Sequence, residues 1–186
     1  MQRSRSLSAT SAALALALAS AGCSDDPCGP GGAPATGLLA TGDGVSLGYG
    51  ALTGGANNDC PTADAPAGVI SLTIQGSQTD GTGAFTLCIG RPDQLAGAAG
   101  ALGPDQAGSA VRVVDVTGTA AGCTYALDRG QAITGTASAG GLCDGGKSPA
   151  GFALTVDGTV GLTRTCGATA TPVQVHLHGR VAVAAR

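Results

Sequence analysis

Through most of the chain apolar residues recur at every second position, the spacing that sends side chains alternately to the two faces of a strand. Val45, Leu47 and Tyr49 alternate in this way, as do Ile70, Leu72 and Ile74, then Phe85, Leu87 and Ile89. The valine-rich run VRVVDVTG at 111–118 reads as another strand. Phe152, Leu154 and Val156 follow, then Val160 and Leu162, and finally Val173, Val175, Leu177, Val181 and Val183 around a central Gly179. Gly and Asp punctuate these runs. Asp157-Gly158 reads as a tight hairpin turn between two strands, and Asp80-Gly81 and Arg129-Gly130 as longer turns. The pattern predicts an all-β fold, an antiparallel sandwich or barrel of about ten strands.

Two stretches of chain resemble each other. Cys60 and Cys143 are each followed, six residues later, by Pro-Ala-Gly (66–68 and 149–151), then by VISLTIQG and FALTVDG. Upstream, GVSLGYGALTGG (44–55) aligns without gaps against GQAITGTASAGG (130–141). This ordering predicts an internal duplication, with pseudo-repeat 1 over about 28–118 and pseudo-repeat 2 over about 123–186. Residues 91–110 would connect them, being rich in Gly, Ala and Pro with weak periodicity. Arg91-Pro92-Asp93 opens that connector and could cap a short helix through Ala99, although Gly97 and Gly100 oppose one.

Composition agrees with strands. The 186 residues include 33 glycines and no glutamate, all 12 acidic residues are aspartate, and Lys147 is the only lysine. Strong helix formers are therefore scarce and turn and strand formers abundant.

The N-terminus reads differently. Arg3 and Arg5 precede an apolar stretch, Leu7 to Ser20. That stretch is short of the ~20 apolar residues that span a bilayer and fits an export signal, to be set aside in reasoning about the fold. It also inflates the mean hydropathy of +0.25. It ends Leu18-Ala19-Ser20-Ala21-Gly22-Cys23, which resembles the lipobox of bacterial lipoproteins. The resemblance implies that Cys23 is acylated and becomes the mature N-terminus. With Ser24 rather than Asp after it, the resemblance also implies delivery to the outer membrane. Residues 1–22 would then be a signal peptide, 23–36 a lipid-anchored tether and 37–186 the β domain. Cleavage after Ala19-Ser20-Ala21, giving a soluble secreted protein, is the alternative. Loss of residues 1–22 leaves seven basic against 12 acidic residues, a formal charge of −5. No basic run or aromatic platform remains to bind nucleic acid.

Seven cysteines leave one unpaired in an exported protein. If Cys23 carries lipid, Cys28, Cys60, Cys88, Cys123, Cys143 and Cys166 can form three disulfides. Three cysteines per pseudo-repeat require at least one bridge between them. Two schemes satisfy this symmetrically: Cys28–Cys60 and Cys123–Cys143 with Cys88–Cys166 across, or Cys60–Cys88 and Cys143–Cys166 with Cys28–Cys123 across. Such staples suit a core whose aromatic candidates are only Tyr49, Phe85, Tyr125 and Phe152.

Candidate chemistry is sparse. His176 and His178 share one face of a strand and could begin a zinc or copper site, with Asp115 as a further ligand. The plain alternative is two solvent-facing histidines beside Gln174 and Arg180. Asp43, Asn57-Asn58-Asp59, Asp80 and Asp144 sit in loops but lack the alternating spacing of a calcium loop. No nucleophile elbow, zincin or phosphate-loop motif occurs, and without glutamate an acid–base pair would need two aspartates. The expectation is a non-enzymatic, cofactor-free binding or structural module of the cell envelope. It would be held to the membrane by its lipid, with an envelope protein or glycan as partner. A small periplasmic metal-dependent or hydrolytic enzyme centred on His176 and His178 is the alternative.

Overall fold

The computed structural model describes residues 37–56, 71–90, 95, 98–106, 108–143 and 149–184. Its ten elements are all strands. In chain order they are β1 (Gly37–Gly42), β2 (Val45–Ala56), β3 (Leu72–Gln78), β4 (Ala84–Ile89), β5 (Ala99–Pro104), β6 (Val111–Ala120), β7 (Cys123–Leu127), β8 (Thr134–Cys143), β9 (Pro149–Cys166) and β10 (Thr169–Ala184).

Hydrogen bonding closes them into a ring. From β10 the order runs through β1, β2, β3, β4 and β6, then by way of β7 to β9, which pairs back onto β10. Every step of this circuit is antiparallel. The fold is thus a barrel and not two facing sheets. Between β6 and β9 the wall is built differently at its two ends. At one end β7 alone fills the gap; at the other β5 and β8 do, with β5 parallel to β6 and antiparallel to β8.

Where these two arrangements meet, Val114 of β6 lies between the stretch paired to β5 and the stretch paired to β7. Its carbonyl accepts a hydrogen bond from Arg129 Nη2 at 2.8 Å, so a side chain satisfies an acceptor that the ladder leaves over.

The alternation in sequence becomes inside and outside. On β10, Val173, Val175, Leu177 and Val181 are buried, while Gln174 and His176 are exposed. Leu38 and Ala40 of β1, Leu87 of β4, Val113 of β6 and Leu154 and Val160 of β9 join them in one core. Tyr49 and Phe85 meet edge to face, 5.4 Å between centroids, inside this core. Among the described residues Leu39 is the one exposed large hydrophobic side chain. A membrane-spanning barrel carries its apolar band outside, and these strands carry theirs within.

Polar groups also bridge the interior. Tyr49 and Gln78 are register partners on β2 and β3. The Tyr49 hydroxyl donates to the Thr117 carbonyl at 2.9 Å. The Gln78 amide donates to the Thr119 carbonyl at 2.7 Å and accepts from the Thr119 N–H at 2.8 Å. A side chain thereby copies the paired exchange of a β-ladder and ties β3 to β6 across β4.

Three expectations change. Asp157-Gly158 is not a turn but the middle of β9, an 18-residue strand. The inward phase carries unbroken from Leu154 through Val156 to Val160 and Leu162, which a two-residue turn would have reset. Three two-residue hairpin turns lie elsewhere among the described residues, Gly167-Ala168 between β9 and β10 among them. Asp43-Gly44 joins β1 to β2 with φ of 48° and 75°, and Ala121-Gly122 joins β6 to β7 with φ of 50° and 75°. Both fit the type I′ turn that hairpins favour.

Second, Cys123 is bonded to Cys166, which overturns both proposed pairing schemes. The register explains the bond. β7 and β9 pair Thr124 with Thr165, so Cys123 and Cys166 face each other one step further on. Their Cα atoms are 4.4 Å apart, the separation of a non-hydrogen-bonded antiparallel pair. Cys88 is disulfide-bonded as well. Cys23, Cys28 and Cys60 lie outside the described residues.

Third, the connector contributes to the wall. Ala99–Pro104 forms β5, and Leu95 is fully buried in the core. The two aligned halves also differ, since the stretch matching the β3–β4 hairpin in the second half is the uninterrupted β9.

Candidate functional site

The two histidines stand on the outside of the barrel, near the middle of β10. Antiparallel pairing sets their neighbours. His176 lies between Thr41 of β1 and Thr159 of β9, and His178 between Leu39 and Asp157. The Asp157 carboxylate reaches diagonally to His176, with Oδ1 2.8 Å from Nε2. The imidazole side chain is 50% exposed and the carboxylate 72%, so water screens this pair and its worth to stability is small.

The imidazoles stack, with centroids 4.5 Å apart and planes 19° from parallel. His178 Nδ1 lies 3.3 Å from the His176 carbonyl oxygen. A carbonyl can only accept, so His178 Nδ1 is the donor in this contact.

Asp115 does not join this group. It sits on β6, which does not pair with β10, and its charge acts on Tyr49 instead. Burial, and after it the Asp115 carboxylate, push the Tyr49 hydroxyl well above the usual tyrosine range. Among the described residues no three His, Cys, Asp or Glu side chains form a ready-made metal cage.

The other candidates have structural work or lie elsewhere. Asp43 Oδ2 accepts the Gln174 N–H at 2.9 Å, tying the β1–β2 turn to β10. Below that point β10 has only β9 beside it among the described strands. Pro172 brings no N–H to this open edge, which blunts it against pairing with another chain. Asp80 stands exposed in the turn between β3 and β4. Asn57, Asn58, Asp59, Asp144 and Arg91-Pro92-Asp93 lie outside the described residues.

Sequence reasoning missed Asp157 as the partner of His176, because it read Asp157-Gly158 as a turn. The signal was the even-numbered run Phe152, Leu154, Val156, Val160, Leu162, which makes Asp157 an outward strand residue.

No protein-family model matches the chain, and neither a curated protein nor a solved structure is significantly similar to it.

Proposed function

We propose that this protein is an exported, lipid-anchored component of the cell envelope whose barrel is a non-catalytic binding or structural module. The observation that carries this reading is the run Leu18-Ala19-Ser20-Ala21-Gly22-Cys23 at the end of an apolar leader. The Cys123–Cys166 bond supports it, since disulfides persist in oxidising compartments. The barrel interior is occupied by Tyr49, Phe85 and aliphatic side chains, which supports recognition on the outer wall over enclosure of a ligand. Two or three acyl chains, at ~0.8 kcal/mol per buried CH₂, hold a protein durably at a membrane.

Metabolic labelling with a fatty-acid analogue tests the reading. The full chain is expected to take up label and to fractionate with outer membranes. Cys23→Ser is expected to lose both properties. A soluble, unlabelled protein beginning at Gly22 would show ordinary cleavage and sink the anchor.

A further inference from the structure

Between β6 and β9 the barrel is closed by two routes. One runs through β7 and the other through β5 and β8, so the ring does not depend on β7 alone. The β7 route carries the Cys123–Cys166 bond. We propose that this bond is a redox gate: an external dithiol reduces it and releases β7 from β9, while the rest of the barrel stays closed.

Access is the first observation behind it. Exchange needs a thiolate to reach a disulfide sulfur, and exposed disulfides are the labile ones. Cys166 is exposed and Cys123 half-buried, whereas the disulfide-bonded Cys88 is 1% exposed.

Leverage is the second. β7 has five residues and meets β9 in four register pairs, from Thr124 with Thr165 to Leu127 with Leu162. The bond stands one step beyond the first of these pairs and holds that end of the interface together. Past the other end, the Asp128 N–H donates to the Gly161 carbonyl at 2.9 Å. With the bond cut, β7 therefore hinges near Asp128 and peels from β9 at its disulfide end.

The third is what lies behind the bond. Cys123 packs against the core, and Tyr125, two residues on along the same inward face, is 5% exposed within it. Peeling turns Tyr125 and a stretch of β9 edge to solvent. The oxidised barrel hides that apolar ring and those backbone groups, which are open to pairing once freed.

The exchange balances. One thiolate of the dithiol attacks the Cys166 sulfur, the S–S bond breaks, and Cys123 leaves as a thiolate that takes up a proton. The second thiol displaces Cys166 from the mixed disulfide. The donor ends as a disulfide and the two cysteines as thiols, a two-electron transfer. This gate goes beyond the envelope reading and does not depend on the lipid.

Limited reduction of the full chain in detergent with dithiothreitol, followed by alkylation and peptide mass spectrometry, tests it. Cys123 and Cys166 should be reduced at least about tenfold faster than Cys88. Hydrogen exchange of the reduced chain should show protection lost by at least about tenfold over residues 123–127 and 162–165 and unchanged over 176–180. Reoxidation should restore it. The double Cys123→Ser/Cys166→Ser chain should show the same local loss without dithiol. Reduction of Cys88 first would overturn the gate, as would unchanged protection in the reduced chain or a loss spread over every strand. The Cys23→Ser chain should respond like the parent, so failure of the anchor and failure of the gate are read separately.

Discussion

Tyr49 is where single-residue chemistry and the fold meet most directly. It is buried in the core, packs edge to face on Phe85 and spends its hydroxyl proton on the Thr117 carbonyl. Burial and the nearby Asp115 charge raise its pKa above the ordinary value. A group whose pKa is raised on folding gives stability that is complete below its unfolded pKa and lost as pH rises through the folded one. Stability should therefore fall as pH climbs past about 10, and Tyr49→Phe should flatten that alkaline limb in denaturant titrations. At neutral pH the same variant should cost about 1 kcal/mol for the lost hydrogen bond. That Tyr49 belongs to the core was legible in the sequence from its phase with Val45 and Leu47. Its reach to Thr117, some seventy residues away, was not, because period-two patterning says which face a residue takes and nothing about which strand lies opposite. The same limit hid Asp157: the histidine pair was visible, but its partner depended on register.

Among elements, β9 shows what misled and what informed. Asp-Gly is the strongest short hairpin signal when it separates two alternating runs, yet here the alternation keeps its phase across it. Phase outweighs turn propensity, since a slipped register would turn every following apolar residue outward. Gly158 meets Gly135 of β8 directly across the ladder. At Gly135 φ is +145°, and an added Cβ would come within 2.4 Å of the Asp157 oxygen and the Gly158 Cα. Backbone, not a movable side chain, blocks that space. Gly135→Ala should destabilise the fold by about 3 kcal/mol or more, measured by denaturant unfolding. Gly140→Ala on the same strand, where nothing lies within 4 Å, should stay within about 1 kcal/mol of the parent. β5 was missed for the opposite reason. Its sequence AGALGP has little strand propensity, and it is a strand because the gap between β6 and β8 requires one.

At the scale of the whole molecule, the all-β class and the number of strands were readable from alternation and punctuation, while closure and disulfide pairing were not. Both depend on which distant segments meet. Cys123–Cys166 spans 43 residues and fastens β7 to β9 at the end of the barrel where one strand fills the gap. Restricting a loop of that length in the unfolded chain is worth about 4 kcal/mol in the chain-entropy view. Replacing both cysteines by serine should lower the unfolding free energy by about 2–4 kcal/mol. An unchanged midpoint would show that the bond does not constrain the unfolded ensemble. The ring itself is sealed where the first strand lies against the last, Leu39 beside His178 and Thr41 beside His176. A chain made N-terminus first therefore holds β1 with one flank unsatisfied until β10 has been delivered. The barrel shuts like a clasp whose two halves lie far apart along the cord, and until β10 arrives the ring cannot close.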